Sequence, residues 1–224
     1  GFGLFVGVTG QGLERRAILR FDVADALRPN AEILSAELQV ELTRGNNPQP
    51  VTMHRVLRDW GEAGSVAPGN GGQGGPAETG DATWSHTFCD TDFWIAPGGD
   101  FDPAPILTAQ LDRMVVPRFT DAQLTALVQD WADDDAQNFG MMIKTETPTT
   151  GLTHVIETTQ VPRRGPNRPA LVIRYSVPTI EAEPEGEGAG EGTMEGEGEG
   201  VAEGAMDGEG SAEGEGAMDG EGMA

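Results

Sequence analysis

Four aspartates lie close together in the middle of the chain and are its best candidate for metal binding. Asp90, Asp92, Asp100 and Asp102 fall in a stretch rich in turn residues. Carboxylates at alternate loop positions are oxygen ligands of the kind that Ca²⁺ prefers. The spacing therefore predicts a possible structural calcium ion, and no other cofactor. The alternative is that these side chains are solvated, or accept hydrogen bonds from backbone N–H groups of their own loop.

Two tryptophans and two arginines form a second candidate site. Trp60 and Trp94 lie in loop-like surroundings, where an exposed indole can stack on a sugar ring. Arg55 and Arg58 lie just before Trp60, and guanidinium groups bind carboxylates as planar forks. These four residues predict a carbohydrate site. The alternative is that the indoles pack under a long loop and that the arginines pair with acids of the same domain.

The residues that could support catalysis or zinc binding are few. The chain has three histidines, His54, His86 and His154, and a single cysteine, Cys89. Zinc needs three or four ligands, and a nucleophile needs an adjacent base. No motif supports either arrangement, so we expect no enzyme activity and assign no catalytic residue.

The charge of the chain is concentrated at its C-terminal end. The chain has 37 acidic and 14 basic residues, but residues 181–224 hold 15 of the acids and none of the bases. Residues 1–180 therefore carry 22 acids and 14 bases, a net charge of −8. Nucleic acids and anionic lipid surfaces require a basic protein surface, so neither is an expected partner.

The C-terminal segment is a low-complexity repeat. Gly204–Gly210 (Gly-Ala-Met-Asp-Gly-Glu-Gly) returns unchanged as Gly216–Gly222. Such a composition buries too little apolar area to offset the entropy lost on ordering. We therefore predict a folded domain over residues 1–178 and a disordered acidic Gly/Glu-rich linker over 179–224. We also expect the chain to be part of a longer protein, with a truncated N-terminus. No apolar run is long enough to enter a membrane directly.

Alternating apolar residues between turn signals predict an antiparallel β-domain. Over residues 33–42 the predicted buried face consists of Leu34, Ala36, Leu38, Val40 and Leu42.

One helix is predicted after residue 120. Thr120 and Gln123 have the spacing of a capping box. An apolar stripe follows at helical spacing and consists of Leu124, Leu127, Val128 and Trp131.

The order of short motifs along residues 4–176 resembles the DNRLRE-domain family. The motifs are Arg15–Asp22, Ala31–Leu38, Val51–Val56, Asp59–Glu62, Gly80–Trp84, Pro97–Phe101, Leu127–Trp131, Asn138–Gly140 and Arg168–Tyr175. This family comprises bacterial extracellular β-sandwich modules, including carbohydrate-binding modules of an alginate-binding type. The usual Ser-Arg-Glu element before the final strand is replaced here by residues 154–159, His-Val-Ile-Glu-Thr-Thr.

The resemblance implies a jelly-roll-like antiparallel β-sandwich with one short α-helix, located outside the cell or at its surface. It also implies a non-catalytic module that binds carbohydrate or mediates surface attachment, held on the Gly/Glu spacer. Two alternatives stay open. The domain is a structural spacer or assembly domain of a large surface protein, or it is a polysaccharide-degrading enzyme domain. The enzyme would require paired carboxylates across a groove, and the single Tyr175 in the last strand argues against a lyase.

Overall fold

The computed structural model describes residues 3–45, 47–65, 74–113, 117–157 and 168–178, together with the backbone of 204–206. The other residues of the predicted linker, 179–203 and 207–224, lie outside the described residues. No helix in the described part is long and apolar enough to cross a bilayer.

Short strands dominate the described residues. They are β1 Leu4–Val8, β2 Glu14–Arg15, β3 Ala17–Leu19, β4 Glu32–Gln39, β5 Leu42–Arg44, β6 Gln49–Arg55, β7 His86–Phe88, β8 Asp92–Phe93, β9 Leu107–Leu111, β10 Arg118–Thr120, β11 Met141–Thr145, β12 Thr153–Ile156, β13 Ala170–Ser176 and β14 Gly204–Met206. The helices are α1 Val23–Ala26, α2 Ala122–Asp133 and a 3₁₀ turn at Asp135–Gln137. The all-β prediction with one helix of more than a single turn is therefore confirmed.

The strands form three four-stranded antiparallel sheets and a hairpin. Their orders are β2-β1-β12-β5, β10-β4-β13-β14 and β3-β11-β6-β9, and β7 pairs with β8. We call β3-β11-β6-β9 the central sheet. One face of each four-stranded sheet contributes to a shared core with α2, which gives a sandwich-like fold.

The central sheet is buried on both faces over part of its length. Ala17, Leu19 and Ile143 point into the main core, whereas Ile18 and Met142 point the other way. A second core covers that other face, and it also contains Val56, Trp60, Ala82 and Trp94. These residues come from the long connection between β6 and β9, which we call the loop layer. Its buried residues pack against the central sheet.

Helix α2 begins one residue later than its capping box predicts. Thr120 ends β10, and Asp121 is the N-cap, with its side chain accepting a 2.8 Å hydrogen bond from the N–H of Gln123. The predicted apolar stripe is confirmed, because all four of its residues are buried. Aspartate replaces threonine as the cap because the chain stays extended through Thr120 to pair with β4.

Helix α2 also covers the part of β4 that β10 leaves unpaired. The N–H of Ile33 donates to Gln129 Oε1 at 2.7 Å, and the N–H of Ala36 donates to Thr125 Oγ1 at 3.2 Å. Gln129 Nε2 returns a 3.2 Å bond to the carbonyl of Ala31. Side chains of a helix therefore satisfy backbone groups that a neighbouring strand would otherwise pair.

A β-bulge changes the predicted face of β4. Arg174 pairs with Ser35, but the next residue, Tyr175, pairs with Ile33, so Leu34 is left without a partner in the β13 register. Leu34 is 61% exposed and Ile33 is buried. The prediction that Leu34 shares the buried face is therefore wrong, because an extra residue in one strand reverses the alternation.

A buried polar chain joins the central sheet to the β2-β1-β12-β5 sheet. Gln49 donates from Nε2 to Thr145 Oγ1 at 3.0 Å and accepts at Oε1 from His154 Nδ1 at 2.9 Å. All three side chains are fully buried. Gly45, at φ 134°, lies so close that a Cβ there would collide with the His154 ring. Burial lowers the pKa of His154, against the opposing influence of the Asn47 carbonyl and Asp112.

One piece of the predicted linker has regular structure. Gly204–Met206 forms β14 and pairs antiparallel with β13. These three residues of the predicted linker are therefore paired with the domain. Strand pairing supplies backbone hydrogen bonds that the composition of the segment does not reveal.

Candidate functional site

The two tryptophans predicted to stack on sugar are structural. Trp60 is 1% exposed and Trp94 is 5% exposed. Trp60 Nε1 donates to the carbonyl of Phe139 at 2.9 Å, and Trp94 Nε1 donates to that of Thr83 at 2.8 Å. Neither indole presents a face to a ligand, which corrects the predicted carbohydrate site. The alternative of packing under the loop is what the geometry shows.

The two arginines of that predicted site also have partners within the domain. Arg55 pairs with Asp130 of α2 at 3.0 Å. Arg58 donates to the carbonyl of Phe93 at 3.2 Å and lies 3.7 Å from Asp100. These contacts are internal ion pairs of the kind that the alternative interpretation predicted.

The four aspartates do not converge on a point. Asp100 accepts hydrogen bonds from the N–H groups of Ile95 and Ala96 at 2.8 and 3.1 Å, and Asp102 accepts from that of Ala104 at 2.9 Å. Asp90 and Asp92 lie at the β7–β8 hairpin instead. In the described part of the chain, no three or more His, Cys, Asp and Glu residues are grouped so as to hold a metal ion. The predicted calcium site is therefore not assembled, because Asp100 and Asp102 accept hydrogen bonds from N–H groups of their own loop and the other two aspartates lie at the hairpin.

The surroundings of His86 and Cys89 bear on the expectation that the domain is not catalytic. His86 Nδ1 bonds to Thr83 Oγ1 at 3.0 Å. Cys89 is buried, and burial together with the nearby Asp90 and Asp81 carboxylates raises the pKa of its thiol. A thiol with a raised pKa is a poor nucleophile near neutral pH.

A small cavity lies where the loop layer meets the central sheet. Its volume is about 30 Å³, and its lining includes Arg16, Trp84, Trp94 and Met142. A space of this size holds one or two water molecules and not a sugar ring.

Lys144 lies on the same face of the central sheet as Met142 of the second core, two residues further along β11. The register places Lys144 of β11 opposite Thr52 of β6, and Thr52 opposite Thr108 of β9. Arg16 precedes Ala17, the partner of Ile143, so it adjoins Lys144 on the next strand. Adjacent strands lie about 4.8 Å apart, so these side chains form a row across four strands.

Phe101 borders this row from the loop layer. Lys144 Nζ lies 6.0 Å and Arg16 Cζ 5.5 Å from the centroid of its half-buried ring. We call Arg16, Thr52, Phe101, Thr108 and Lys144 the Lys144 strip. It combines two cations, two hydroxyl groups and one aromatic ring. Of these side chains Thr108 is exposed, Arg16, Phe101 and Lys144 are half-buried, and Thr52 is buried.

The two cations of the strip differ in availability. Arg16 is held by Glu14 at 2.9 Å and by the carbonyl of Gly98 at 2.7 Å, and its guanidinium carbon lies 4.7 Å from the centroid of the Trp84 ring. Its side chain is 15% exposed. Lys144 Nζ makes one long contact, 3.4 Å, to the Thr145 carbonyl. Among the described residues, no carboxylate lies within 4 Å of it.

His54 lies beside Thr52 on the same face of β6. Its Nδ1 bonds to the carbonyl of Asp102 at 2.8 Å and its Nε2 to Thr52 Oγ1 at 2.9 Å. Burial lowers the pKa of His54, and the charges of Lys144 and Arg16 lower it further, whereas the contact with Asp102 raises it. A neutral ring donates from Nδ1 and accepts at Nε2, which fixes the Thr52 hydroxyl in place.

Sequence reasoning did not single out the Lys144 strip as a site. Its residues come from β3, β6, β9, β11 and the loop before β9, and the sheet order brings them together. Strand pairing between distant segments is not encoded in local spacing, so the sequence identifies Arg16 and Lys144 only as two of several basic residues in strand-like segments.

Comparison with protein-family models, curated proteins and solved structures finds no match to this chain.

Proposed function

We propose that this domain binds an acidic polysaccharide at the Lys144 strip without modifying it. The observation that carries the proposal is that the ammonium group of Lys144 lacks a carboxylate partner among the described residues. It lacks one although residues 1–180 contain 22 acids and 14 bases. In such a domain a half-buried, unpaired cation is available to an external anion.

The chemistry of the neighbouring groups suits a uronate. A carboxylate on the sugar accepts charge-assisted hydrogen bonds from Lys144, and a ring hydroxyl pairs with the exposed Thr108. The Phe101 ring supplies an apolar surface for the C–H face of a sugar. Each of these contacts with the sugar is weak by itself. A repeating polymer gains affinity because several of its units can be engaged at once.

A non-catalytic role is supported by three features of the described residues. The cavity is too small for a substrate, the Cys89 thiol is not activated, and the acidic side chains of the loops cap turns. The motif order that resembles the DNRLRE family supports the same role, as does a location outside the cell or at its surface, where acidic polysaccharides occur. The acidic tail would hold the module away from its attachment point.

The test is binding of the purified chain to polysaccharides of different charge. In affinity electrophoresis, alginate and polygalacturonate should retard the chain, and neutral dextran should not. Lys144→Gln should weaken binding about tenfold, since a hydrogen bond to a charged group contributes about 1.5 to 3 kcal/mol.

Arg118→Gln is the matched control, because it removes one positive charge from β10 of another sheet, where the side chain is 61% exposed and paired with Glu37. It should leave binding within about twofold. Equal losses in the two variants would show a nonspecific charge effect. No retention by any polysaccharide would favour the structural-spacer alternative, and release of reducing ends would favour the enzyme.

A further inference from the structure

The strands at the ends of the three four-stranded sheets differ in length. Strand β9 has five residues, whereas β2, β3, β5, β10 and β14 have two or three. The sequence of β9 is Leu-Thr-Ala-Gln-Leu, so it also lacks the charged residues and prolines that often protect edge strands. Within the described part of the chain, β9 is therefore the end strand best suited to pair with another strand.

The register with β6 determines which backbone groups of β9 face away from the sheet. On β6, the carbonyl of Pro50 accepts a 3.1 Å hydrogen bond on the β11 side. The next residue, Val51, therefore faces β9, where Ala109 is its partner. By the same alternation, the N–H and C=O groups of Thr108 and Gln110 face outward. Among the residues that the structure describes, these outward groups have no hydrogen-bond partner.

These outward groups are placed symmetrically about Ala109, so the backbone of β9 is complementary to a second copy of itself. In an antiparallel pair centred on Ala109, Thr108 lies opposite Gln110 of the second copy. The two residues then exchange both of their backbone hydrogen bonds. A twofold axis through the centre of the pair repeats this exchange on the other side of Ala109.

The side chains of β9 match in the same register. Leu107 and Ala109 are half-buried and pack against the main core, so their remaining exposed surface lies at the open edge. The pair sets Ala109 against its own copy and Leu107 against Leu111, which buries apolar surface of both chains. On the opposite face, the exposed Thr108 and Gln110 lie across from each other and can form a hydrogen bond.

We propose that β9 is a homodimerisation edge, at which two copies of this chain join their central sheets in an antiparallel pair centred on Ala109. The occupant is a second copy because the backbone groups and the side chains of β9 are both complementary to themselves. The contact is only one strand wide, so it belongs to the class of small and weak interfaces. Because the pairing is twofold, it uses the free edge of both copies and ends at two.

Pairing in this register also brings two Lys144 strips onto one face of a continuous sheet. The two Lys144 residues lie about 25 Å apart, because five strand spacings of about 4.8 Å separate the two copies of β11. One polysaccharide chain can then engage both strips, which raises its apparent affinity without a new kind of contact. This consequence rests on the proposed function, whereas the pairing does not, and the pairing is tested without polysaccharide.

Sedimentation equilibrium of the full chain tests the pairing. Because each chain carries a net charge of −23, the measurement is made in about 0.5 M salt, where charges more than about 5 Å apart are largely screened. Between about 10 μM and 1 mM protein, the average mass should rise from that of one chain toward that of two, as expected of a weak interface. A mass that stays at one chain up to about 1 mM would overturn the proposal.

Gln110→Pro removes one outward N–H group and leaves the bonds between β6 and β9 in place. It should raise the dissociation constant of the dimer at least about tenfold. Gln110→Ala is the matched control, because it removes the same side chain but keeps the N–H group, and it should change the constant by about threefold or less. Equal constants for a folded Gln110→Pro variant and the unmodified chain would also overturn the proposal.

Cysteine trapping tests the register without a proline. In the proposed pair, the two Ala109 Cα atoms lie about 4.5 Å apart, within disulfide range, whereas the two Gln110 residues are diagonal neighbours about 7 to 8 Å apart. On oxidation, Ala109→Cys should therefore form a covalent dimer at least about fivefold faster than Gln110→Cys. Accessibility alone favours the opposite order, because Gln110 is exposed and Ala109 is half-buried, and the native Cys89 is buried in both variants. Faster trapping of Gln110→Cys would overturn the pairing centred on Ala109.

Discussion

Replacing Trp131 by alanine is expected to lower the free energy of unfolding by about 3 to 5 kcal/mol, the usual cost of truncating a fully buried aromatic side chain. Trp131 has no exposed surface and lies on the α2 stripe, where it packs into the core shared by the three sheets. The cavity left by its removal would be surrounded by strands already fixed by their pairing, so little collapse is expected.

Urea denaturation followed by far-ultraviolet circular dichroism measures this loss without using tryptophan as its own reporter. Trp84→Ala is the control, because Trp84 is half-buried in the loop layer against Arg16 and should cost clearly less. Trp131→Phe keeps most of the aromatic volume but removes the indole Nε1, which is buried and has no hydrogen-bond partner among the residues that the structure describes. It should recover most of the lost stability. A loss below about 1 kcal/mol in Trp131→Ala would contradict the central position of α2 in the core.

Acidification below pH 6.5 is expected to destabilise the domain through its two buried histidines. Folding lowers the pKa of both His54 and His154 from the ordinary value of 6.5, chiefly by burial. The unfolded chain therefore binds more protons in the interval between the lowered pKa and 6.5. Stability is fully present above pH 6.5 and is lost as the pH falls toward and through the lowered pKa.

Each histidine lowers the free energy of unfolding by at most about 1.4 kcal/mol per pH unit within that interval. The measurement compares denaturant midpoints at pH 7.5 and 5.5, above the range in which most carboxylates titrate. The double variant His54→Gln and His154→Gln should reduce the difference between the two pH values, even if it is less stable at both. His86→Gln, in the β7–β8 hairpin, should retain that difference. If the difference between the midpoints at pH 7.5 and 5.5 is unchanged in the double variant, the acid sensitivity does not come from His54 and His154.

The sequence predicted those parts of the fold that depend on local pattern. The stripe of α2 and the buried positions of β4 beyond Ser35 follow from periodicity, and the structure confirms them. The bulge at Leu34 was not predictable, because it depends on the register with β13, which lies more than 130 residues away in the chain.

The candidate site was predicted less well than the fold. Trp60 and Trp94 lie in loops, and loop location suggested exposure, but the loop layer folds over the central sheet and buries both indoles. Lys144 and Thr108 are far apart in sequence, and only the sheet order β11-β6-β9 brings them to one face. Chemistry that depends on such juxtapositions cannot be inferred from composition and spacing.

The bonds from α2 to β4 limit how molecules of this kind can associate. Gln129 and Thr125 occupy the N–H groups of Ile33 and Ala36, and β10 covers the rest of that side with three residues. On the opposite side of the sheet, β14 pairs with Leu171–Ile173 of β13, so the described sheet ends there in a strand of three residues. Growth of a fibre by edge-to-edge pairing requires two long exposed edges in each molecule. The described sheet has a strand of only three residues at each end, so it offers a poor template for such growth.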